Sequence, residues 1–511
     1  MSESIYEIIK KEFQCSGVLP YEFQDLEVAG AEDVNELIWG KDELSNYQKE
    51  RISLDLINKI KFLIEECTED IIIETELVIF LKENPIYKYI DALNRILSIH
   101  IEEGYFDKEK IYNFGLKLAT KSINIENTKL GIIILGNFEN DFSNRIIATL
   151  GYHSEFTLYA VEVFRKYDNR NKRTYDLVKN TDGYGKLISI MNFYPIHDEQ
   201  KRWIFENFGV HSSGVKNDIA IIIMENTLMC DYILNISIDE ENFNIFSLLL
   251  AHSSRYRFFS DIDRFLEIIK KYLFKAYRYA KTYTDLLAIA LIRNNISYSI
   301  NMSENKVCST VWNEETKKEV LSICEELLEK FDFQKIIFSE IIEENRLDYF
   351  EDVVLLVNLV VELFKYNGFL ISSQIFEIIF DSRPFIYDLV EFLKMDVDEQ
   401  YIREISTHVI DRMPDDVFEG ENISGSLGFE ILPDIWLVNI LESYRENEIF
   451  DEELLLMSLK ARFNDVRIEA IKSLGFFKNK WSEKVEGYLL EALKEERDDK
   501  IVDDIKNILG I

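Results

Sequence analysis

The chain contains little glycine, proline or cysteine. Among its 511 residues, 19 are Gly, 6 are Pro and 5 are Cys. So little Gly and Pro excludes a collagen-like chain, a low-complexity tail and a turn-rich array of β-sandwiches. The cysteines are odd in number and widely spaced, with no Cys-x-x-Cys pair, which argues against a disulfide framework or a Cys-rich zinc site. They are Cys15, Cys67, Cys230, Cys308 and Cys324.

Positive charge is scarce as well. Lys and Arg number 58 against 93 Asp and Glu, which gives a formal charge of −35. Because nucleic acids and anionic membrane surfaces bind basic proteins, we expect neither to be a partner. No apolar stretch reaches the ~18 residues of a membrane span, and the first residues lack the basic and apolar regions of a signal peptide. With 47% hydrophobic residues the chain is too apolar for disorder, so we expect a soluble cytoplasmic protein.

Helical periodicity is the dominant pattern in the sequence. Apolar residues recur at steps of three and four over residues 262–273 and 343–364, which places them on one face of a helix. The alternation typical of strands is nearly absent. The prolines fall between the periodic segments, and Asn-rich stretches at 168–172 and 293–295 predict loops between helices. The predicted fold class is therefore all-α.

The C-terminal part of the chain carries an internal repeat. Residues 458–460 (Ser-Leu-Lys) align with residues 492–494 (Ala-Leu-Lys), and Asp465 aligns with Asp499, both at the same offset. Residues 465–475 resemble the second helix of a HEAT repeat, in which the Asp caps the helix and the later Ala and Leu pack inward. Because one such helix pair cannot bury its apolar face alone, stacked pairs share a continuous core.

This repeat predicts an α-solenoid of stacked antiparallel, HEAT-like helix pairs, in one or two segments. The alternative is a pair of similar helical hairpins within an irregular α domain. Breaks in composition divide the chain into four parts. We expect a non-repeat N-terminal cap over 1–45, a helical-repeat array over 46–412, an irregular Gly- and Pro-containing loop over 413–434, and C-terminal HEAT-like repeats over 435–511.

Signatures of catalysis are few. The closest match to a dinucleotide-binding loop, Gly-Tyr-Gly-Lys-Leu-Ile at 183–188, lacks the third Gly and does not follow a convincing strand. There is no Walker-type phosphate loop, no Gly-x-Ser-x-Gly elbow and no Glu-x-x-His pair of the di-iron type. Six histidines offer little material for a multi-His metal site, and we assign no metal ligands. A dyad such as Cys230 with His252 stays open, because such partners meet only in the folded chain.

One segment interleaves aromatic and basic side chains. Its members are Lys271, Tyr272, Lys275, Tyr277, Arg278, Tyr279, Lys281 and Tyr283. Such a patch can stack on bases or clasp phosphate. In a chain this acidic, a solvated helix face is the simpler interpretation, and pairing with the protein's own acidic helices or with an acidic partner is the next.

Two stretches resemble a known family. They comprise residues 180–186 (Asn-Thr-Asp-Gly-Tyr-Gly-Lys) followed by Pro195, Glu199, Trp203 and Gly209, and residues 4–13 followed by Gly17-Val-Leu-Pro20. Together they resemble a bacterial family of helical-repeat proteins that are often labelled limonene hydroxylase. The resemblance implies NADH-linked monooxygenation of this monoterpene, with further oxidation of the product alcohols carveol or perillyl alcohol by an alcohol dehydrogenase activity. It brings no catalytic motif, so no catalytic or cofactor-binding residue is assigned.

Two functions therefore stand as hypotheses. The first is a non-catalytic scaffold whose long helical surface binds a protein partner, and the negative charge would steer a basic one. The second is the oxidoreductase that the resemblance implies. Hydroxylating an unactivated C–H bond needs haem, non-haem iron or a flavin, and the sequence carries no binding signature for them. On the first hypothesis the motif around residues 183–209 is structural, with Trp203 in the core and Gly209 ending a helix.

Overall fold

A computed structural model describes most of the chain. The described residues are 3–17, 44–66, 70–212, 214–254, 264–301, 313–339, parts of 357–394, 398–419 and 431–511. All regular secondary structure within them is helical, which confirms the predicted all-α class. None of the helices in these ranges is both long and apolar enough to cross a membrane. The periodic segment 343–364 and the cap predicted over 1–45 fall largely outside the described residues.

The chain divides into two compact units, Met1–Lys275 and Ala276–Ile511. Helices that begin in the first unit are α1 (Ile5–Ser16), α2 (Asn46–Glu66), α3 (Asp70–Glu83), α4 (Ile90–Glu102), α5 (Lys108–Lys121), α6 (Ile125–Leu135), α7 (Asp141–Gly151), α8 (Ser154–Phe164), α9 (Arg170–Asn180), α10 (Gly183–Met191), α11 (Asp198–Asn207), α12 (Lys216–Glu225), α13 (Thr227–Asn235), α14 (Glu240–Ser253) and α15 (Phe265–Tyr279).

Helices of the second unit are α16 (Tyr283–Asn301), α17 (Glu314–Leu328), α18 (Phe333–Phe338), α19 (Ser373–Ser382), α20 (Glu399–Ile410), α21 (Asp416–Glu419), α22 (Leu432–Glu446), α23 (Glu452–Ser458), α24 (Asn464–Phe476), α25 (Val485–Glu495) and α26 (Asp499–Leu509). Residues 357–363 are also helical. Short 3-10 segments lie at Ile86–Lys88, Tyr387–Lys394 and Lys478–Lys480.

Acidic and amide side chains fix where many of these helices begin. In each case a side-chain oxygen accepts a hydrogen bond from a backbone N–H of the first turn. Caps of this kind include Asp107, Asn124, Asn140, Asn226, Asp239, Asn313, Asp398, Asp451 and Asp498. The cap expected at Asp465 is wrong, because Asp465 lies inside the first turn of α24 and Phe463 occupies the N-cap position. There the carboxylate faces the positive end of the helix dipole instead.

From α6 to α14, every second helix of the first unit belongs to one row. Helices α6, α8, α10, α12 and α14 form this row, and each packs against the next; of the helices between them, α7 packs on α9 and α11 on α13. The row helices are more apolar than α9 and α11 because neighbours cover them on several sides. In α8, for example, every residue except Glu162 is buried. Helices α9 and α11 lie outside the row and are rich in charged residues.

The second unit contains a similar row, formed by α20, α22, α24 and α26. At its C-terminal end, repeat-related positions touch: Asn464 Nδ2 donates to Asp498 Oδ2 at 3.1 Å, and these residues are 34 apart. The buried Arg467 donates through Nε to Glu496 at 2.8 Å and through Nη1 to the backbone O of Ala461 at 2.7 Å. The bonds to Asp498 and Glu496 join the last two helix pairs, α23–α24 and α25–α26, whereas the bond to Ala461 lies within the first of these pairs.

The prediction of a loop at 293–295 is wrong. These residues lie inside α16, where the flanking Ile292 and Ile296 are buried. Asn294 Nδ2 donates to the backbone O of Glu362 at 2.9 Å and to its carboxylate at 2.6 Å. An Asn is tolerated inside a helix here because its amide has tertiary partners and does not compete for the helix's own backbone.

Two other expected loops are shorter than the sequence suggested. Helix α9 begins at Arg170, inside the stretch 168–172. Within the segment 413–434, Asp416–Glu419 forms one helical turn and α22 begins at Leu432, while residues 420–430 are not among those described. The breakers Pro414 and Pro433 stand next to helix starts, where proline is compatible with helical geometry.

Helices α5 and α6 approach each other very closely. A Cβ added to Gly131 would lie 2.4 Å from the backbone N of Ala119, which is closer than non-bonded atoms tolerate. Only glycine therefore permits this contact.

Candidate functional site

The Gly-Tyr-Gly-Lys motif opens helix α10. The Asp182 carboxylate accepts a hydrogen bond from Gly183 N at 2.6 Å, and Gly183 has a φ of +52°, a conformation that favours glycine. Lys186 follows one turn later and is only 1% exposed. Its Nζ donates to the backbone O of Asn207 at 2.8 Å and to that of Val210. The ammonium thus binds carbonyl groups at the C-terminal end of α11, where the helix dipole is negative.

Burial lowers the pKa of Lys186 from 10.5 to about 8; Asp182 opposes this shift and Lys216 adds to it. The ammonium lies 5.7 Å from the centroid of the Trp203 ring. Enclosed by carbonyls and an indole, it is closed off from any phosphate or substrate. The motif therefore has a structural role, in which its lysine binds the C-terminal end of α11. Trp203 itself is only half-buried.

A second lysine supports the next helix outside the row in the same way. Lys271 of α15 donates through Nζ to the backbone O of Ile233 at 2.8 Å, of Leu234 at 3.0 Å and of Ile236 at 2.6 Å. These carbonyls end helix α13. Burial lowers the pKa of Lys271, and the neighbouring Lys275 lowers it further. At the C-terminal ends of both α11 and α13, backbone carbonyls therefore bind the ammonium group of a lysine from another helix.

Between these two helices and the start of α14 lies an open groove of about 920 Å³. We call it the acidic groove. Its apolar floor includes Phe205, Tyr232, Ile236 and Ile245, and the rings of Phe205 and Tyr232 have centroids 6.3 Å apart. Charged residues on its walls are the acidic Asp198, Glu206, Asp231, Asp239 and Glu241 and the basic Lys201 and Arg202. Five carboxylates thus face two cations.

Three of the five carboxylates already have partners. Asp198 pairs with Lys201 at 2.9 Å, Asp231 pairs with Arg264, and Asp239 caps α14 by accepting from Asn242 N at 3.0 Å. The other two, Glu206 and Glu241, are exposed. Neither forms an ion pair with any described residue, so both can bind a cation from outside.

A shallower depression lies in the second unit. One face of α20 lines it, with Glu399, Arg403, Glu404, His408 and Asp411 among its residues. Glu404 and His408 share this face of the helix, and Arg403 pairs with Glu399 at 2.8 Å. Across the described ranges, His, Cys, Asp and Glu side chains form no cluster of three that could hold a metal ion.

The aromatic and basic segment around α15 is largely occupied by internal contacts. Tyr272 is fully buried, stacks on Phe243 with centroids 5.0 Å apart, and shares a hydrogen bond with Ser247 Oγ at 3.0 Å. The hydroxyl of Tyr277 donates to Glu326 at 2.8 Å. With Lys271 bound to helix carbonyls as well, these side chains do not form a stacking platform.

The environment of the Cys230 thiol argues against the Cys230–His252 dyad that the sequence left open. Cys230 is buried and its Sγ donates to the backbone O of Met224 at 3.1 Å. Burial raises its pKa to about 11, so it stays a thiol at neutral pH, whereas a nucleophile needs the thiolate. His252 Nδ1 lies 2.6 Å from Asn217 Oδ1. This geometry supports a structural role for both residues.

No protein-family model matches the chain, and no curated protein matches it significantly. Sequence reasoning missed the acidic groove. Its signals were present as the acidic helix starts at 198–199 and 239–241, but each is also what an ordinary helix N-terminus requires.

Proposed function

We propose that this protein is a cytoplasmic, HEAT-like α-solenoid that binds a basic segment of another protein in the acidic groove. The observation that carries the proposal is the groove itself, where five carboxylates face two cations above an apolar and aromatic floor. The carboxylates attract a positively charged side chain, and the apolar floor can contact the aliphatic part of that side chain or a neighbouring apolar residue.

The packing order of the helices supports the solenoid part of the proposal. Successive row helices with intervening outer helices are the arrangement that stacked helix pairs produce. The bond between Asn464 and Asp498, 34 residues apart, supports a repeat of that length. Helices α11 and α13 would then be neighbouring outer helices, and the groove between them a seam that repeats along the array.

The groove favours arginine among the basic residues. Glu206 and Glu241 can each accept the two parallel N–H groups of a guanidinium, and the half-buried Tyr232 ring on the floor attracts a cation. The wall formed by α11 has ten residues and is ~15 Å long. An extended peptide spans that length with about five residues.

A direct test uses a fluorescein-labelled peptide of alternating Arg and Gly, about eight residues long, and measures its binding by fluorescence anisotropy. Replacing both free carboxylates, Glu206→Gln with Glu241→Gln, removes two exposed charge contacts of about 0.5–1 kcal/mol each. We expect the dissociation constant to rise roughly five- to thirtyfold.

The matched control variant is Glu12→Gln with Glu103→Gln, which removes the same charge from exposed positions of the same unit. It should bind the peptide nearly as the unchanged protein does, because neither residue lines the groove and exposed charges are screened beyond ~10 Å at about 0.1 M salt. Equal losses in the two variants would show a diffuse charge effect and refute the groove. So would the absence of binding at low salt.

The monooxygenase function implied by the family resemblance is an alternative proposal without such support. A monoterpene calls for an enclosed apolar pocket, whereas the acidic groove and the depression on α20 are open and lined by charged side chains. An ultraviolet–visible spectrum and metal analysis of the purified protein, followed by a limonene turnover assay with NADH, tests it. Product formation that scales with a bound flavin or iron would replace the scaffold proposal.

A further inference from the structure

Three large apolar side chains are exposed at the end of helix α10 and in the loop that leads to α11. Met191 is 49% exposed, Tyr194 is 60% exposed and Ile196 is 59% exposed. We call these three residues the apolar ledge. Single exposed apolar residues are normal on a protein surface, whereas these three concentrate apolar surface within six positions of one short segment, and concentrated apolar surface is a feature of interaction sites.

The backbone beneath the apolar ledge is held in place. Asn171 Nδ2 donates to the backbone O of Tyr194 at 2.7 Å, and Tyr194 N donates back to Asn171 Oδ1 at 2.9 Å. Arg165 donates through Nε and Nη2 to Asn192 Oδ1, at 3.2 and 2.5 Å. Pro195 is buried and restricts its own backbone. Because the backbone is already fixed, binding costs only side-chain entropy, which favours the use of these side chains as anchors.

The apolar ledge continues directly into the acidic groove. Ile196 precedes Asp198 by two residues, and Asp198 is both the first residue of α11 and part of the groove lining. Two virtual bonds of ~3.8 Å limit the separation of their Cα atoms to about 7.6 Å. A chain that leaves the groove at the N-terminal end of α11 therefore meets the ledge within about two residues.

From this continuity we infer that the partner segment is bipartite, with arginine residues in the acidic groove and a bulky apolar residue next to them that packs on Met191, Tyr194 and Ile196. This inference rests on the proposed function and adds the apolar half of the recognition. A purely basic segment would occupy only half of the site. The occupant is therefore an amphipathic protein segment and not a polycation in general.

Two probes separate the halves of this site. The first is the labelled Arg-Gly peptide described above. The second is the same peptide extended by Gly-Phe-Gly-Leu at either end, with a Gly-Ser-Gly-Ser extension as its control. On the unchanged protein we expect one of the two apolar extensions to tighten binding by about tenfold, as burying one large apolar side chain does.

The gain should disappear when the ledge is made polar by Met191→Ser, Tyr194→Ser and Ile196→Ser together. It should persist in a matched variant that replaces three other exposed apolar residues of the same unit, Phe62→Ser, Ile79→Ser and Ile123→Ser. The plain Arg-Gly peptide should bind all three proteins equally, which also shows that each variant is folded.

Each outcome decides between the two proposals. If the plain peptide binds but neither apolar extension adds affinity, or if the gain survives in the ledge variant, the apolar ledge is refuted and the groove stands. If no peptide binds the unchanged protein, the proposed function fails, and the ledge inference fails with it.

Discussion

One buried ion pair near the C-terminus allows a quantitative test of the packing. Arg462 donates through Nη2 to Asp434 Oδ2 at 2.8 Å and through Nε to both carboxylate oxygens, at 3.3 and 3.2 Å. The Asp434 side chain is 0% exposed and that of Arg462 is 9% exposed. The same guanidinium binds Asp416 through Nη1, but the Asp416 side chain is 58% exposed. One arginine thus has a buried and an exposed partner.

The two partners predict very different mutational costs. Arg462→Met leaves the Asp434 carboxylate buried without its cation, which costs about 3–5 kcal/mol of unfolding free energy. We expect the lower end of that range, because Asp434 lies in the first turn of α22, where the helix dipole favours a negative charge. The matched variant Asp416→Asn removes an exposed contact and should cost less than about 1 kcal/mol.

Urea unfolding followed by far-ultraviolet circular dichroism measures both costs, and hydrogen exchange of peptides from α22 locates the loss. The double variant Arg462→Met with Asp434→Asn removes both charges of the buried pair. It should therefore be more stable than the summed costs of Arg462→Met alone and Asp434→Asn alone predict. If Arg462→Met costs no more than Asp416→Asn, the Asp434 carboxylate is hydrated, and the reasoning from burial is wrong.

Two further predictions concern the first unit and α25. The pKa of Lys186 is lowered from 10.5 to about 8 in the folded protein. Between pH ~8 and pH ~10.5 the unfolded chain therefore binds more protons than the folded protein, and the free energy of unfolding rises with pH. From pH ~7.5 to ~9.5 the unfolding free energy should rise by about 2 kcal/mol relative to that of Lys186→Met, measured by urea titration; parallel pH profiles would contradict it. Gly131→Ala forces a Cβ against Ala119 and should cost about 1–3 kcal/mol, whereas Gly487→Ala, with nothing within 4 Å, should add about 0.5–1 kcal/mol. Thermal melts that shift the two variants in the same direction would contradict the close packing of α5 on α6.

The sequence predicted the secondary structure well wherever the effect of a residue is confined to its own helix. The scarcity of Gly and Pro and the spacing of apolar residues were enough to predict an all-α fold, because both act over a single turn. Pro433 was placed in a loop, yet it lies in the first turn of α22, where proline is compatible with helical geometry. The errors arose where the outcome depends on partners far along the chain. Arg293–Asn295 read as a loop by composition, yet Glu362 satisfies the Asn294 amide inside a helix.

The motif at residues 183–186 shows the same limit in a candidate site. Its two glycines made it the closest match to a dinucleotide-binding loop, although the third Gly is missing. The decisive fact is the direction of the Lys186 side chain, which ends on the carbonyls of Asn207 and Val210. No sequence pattern carries that information, because the acceptors are backbone atoms, which every residue has.

The sequence by itself determined that this protein is helical, strongly acidic and poor in breakers, since these properties are sums over residues or act between near neighbours. Tertiary structure alone decided which carboxylates gather in one place. Glu206 lies on α11 and Glu241 on α14, and they line the same groove because α11 packs against both α13 and α14, with Lys186 bound at the end of α11 and Lys271 at the end of α13. Long-range packing of this kind depends on the shapes of buried surfaces, which a linear pattern of residue types does not specify.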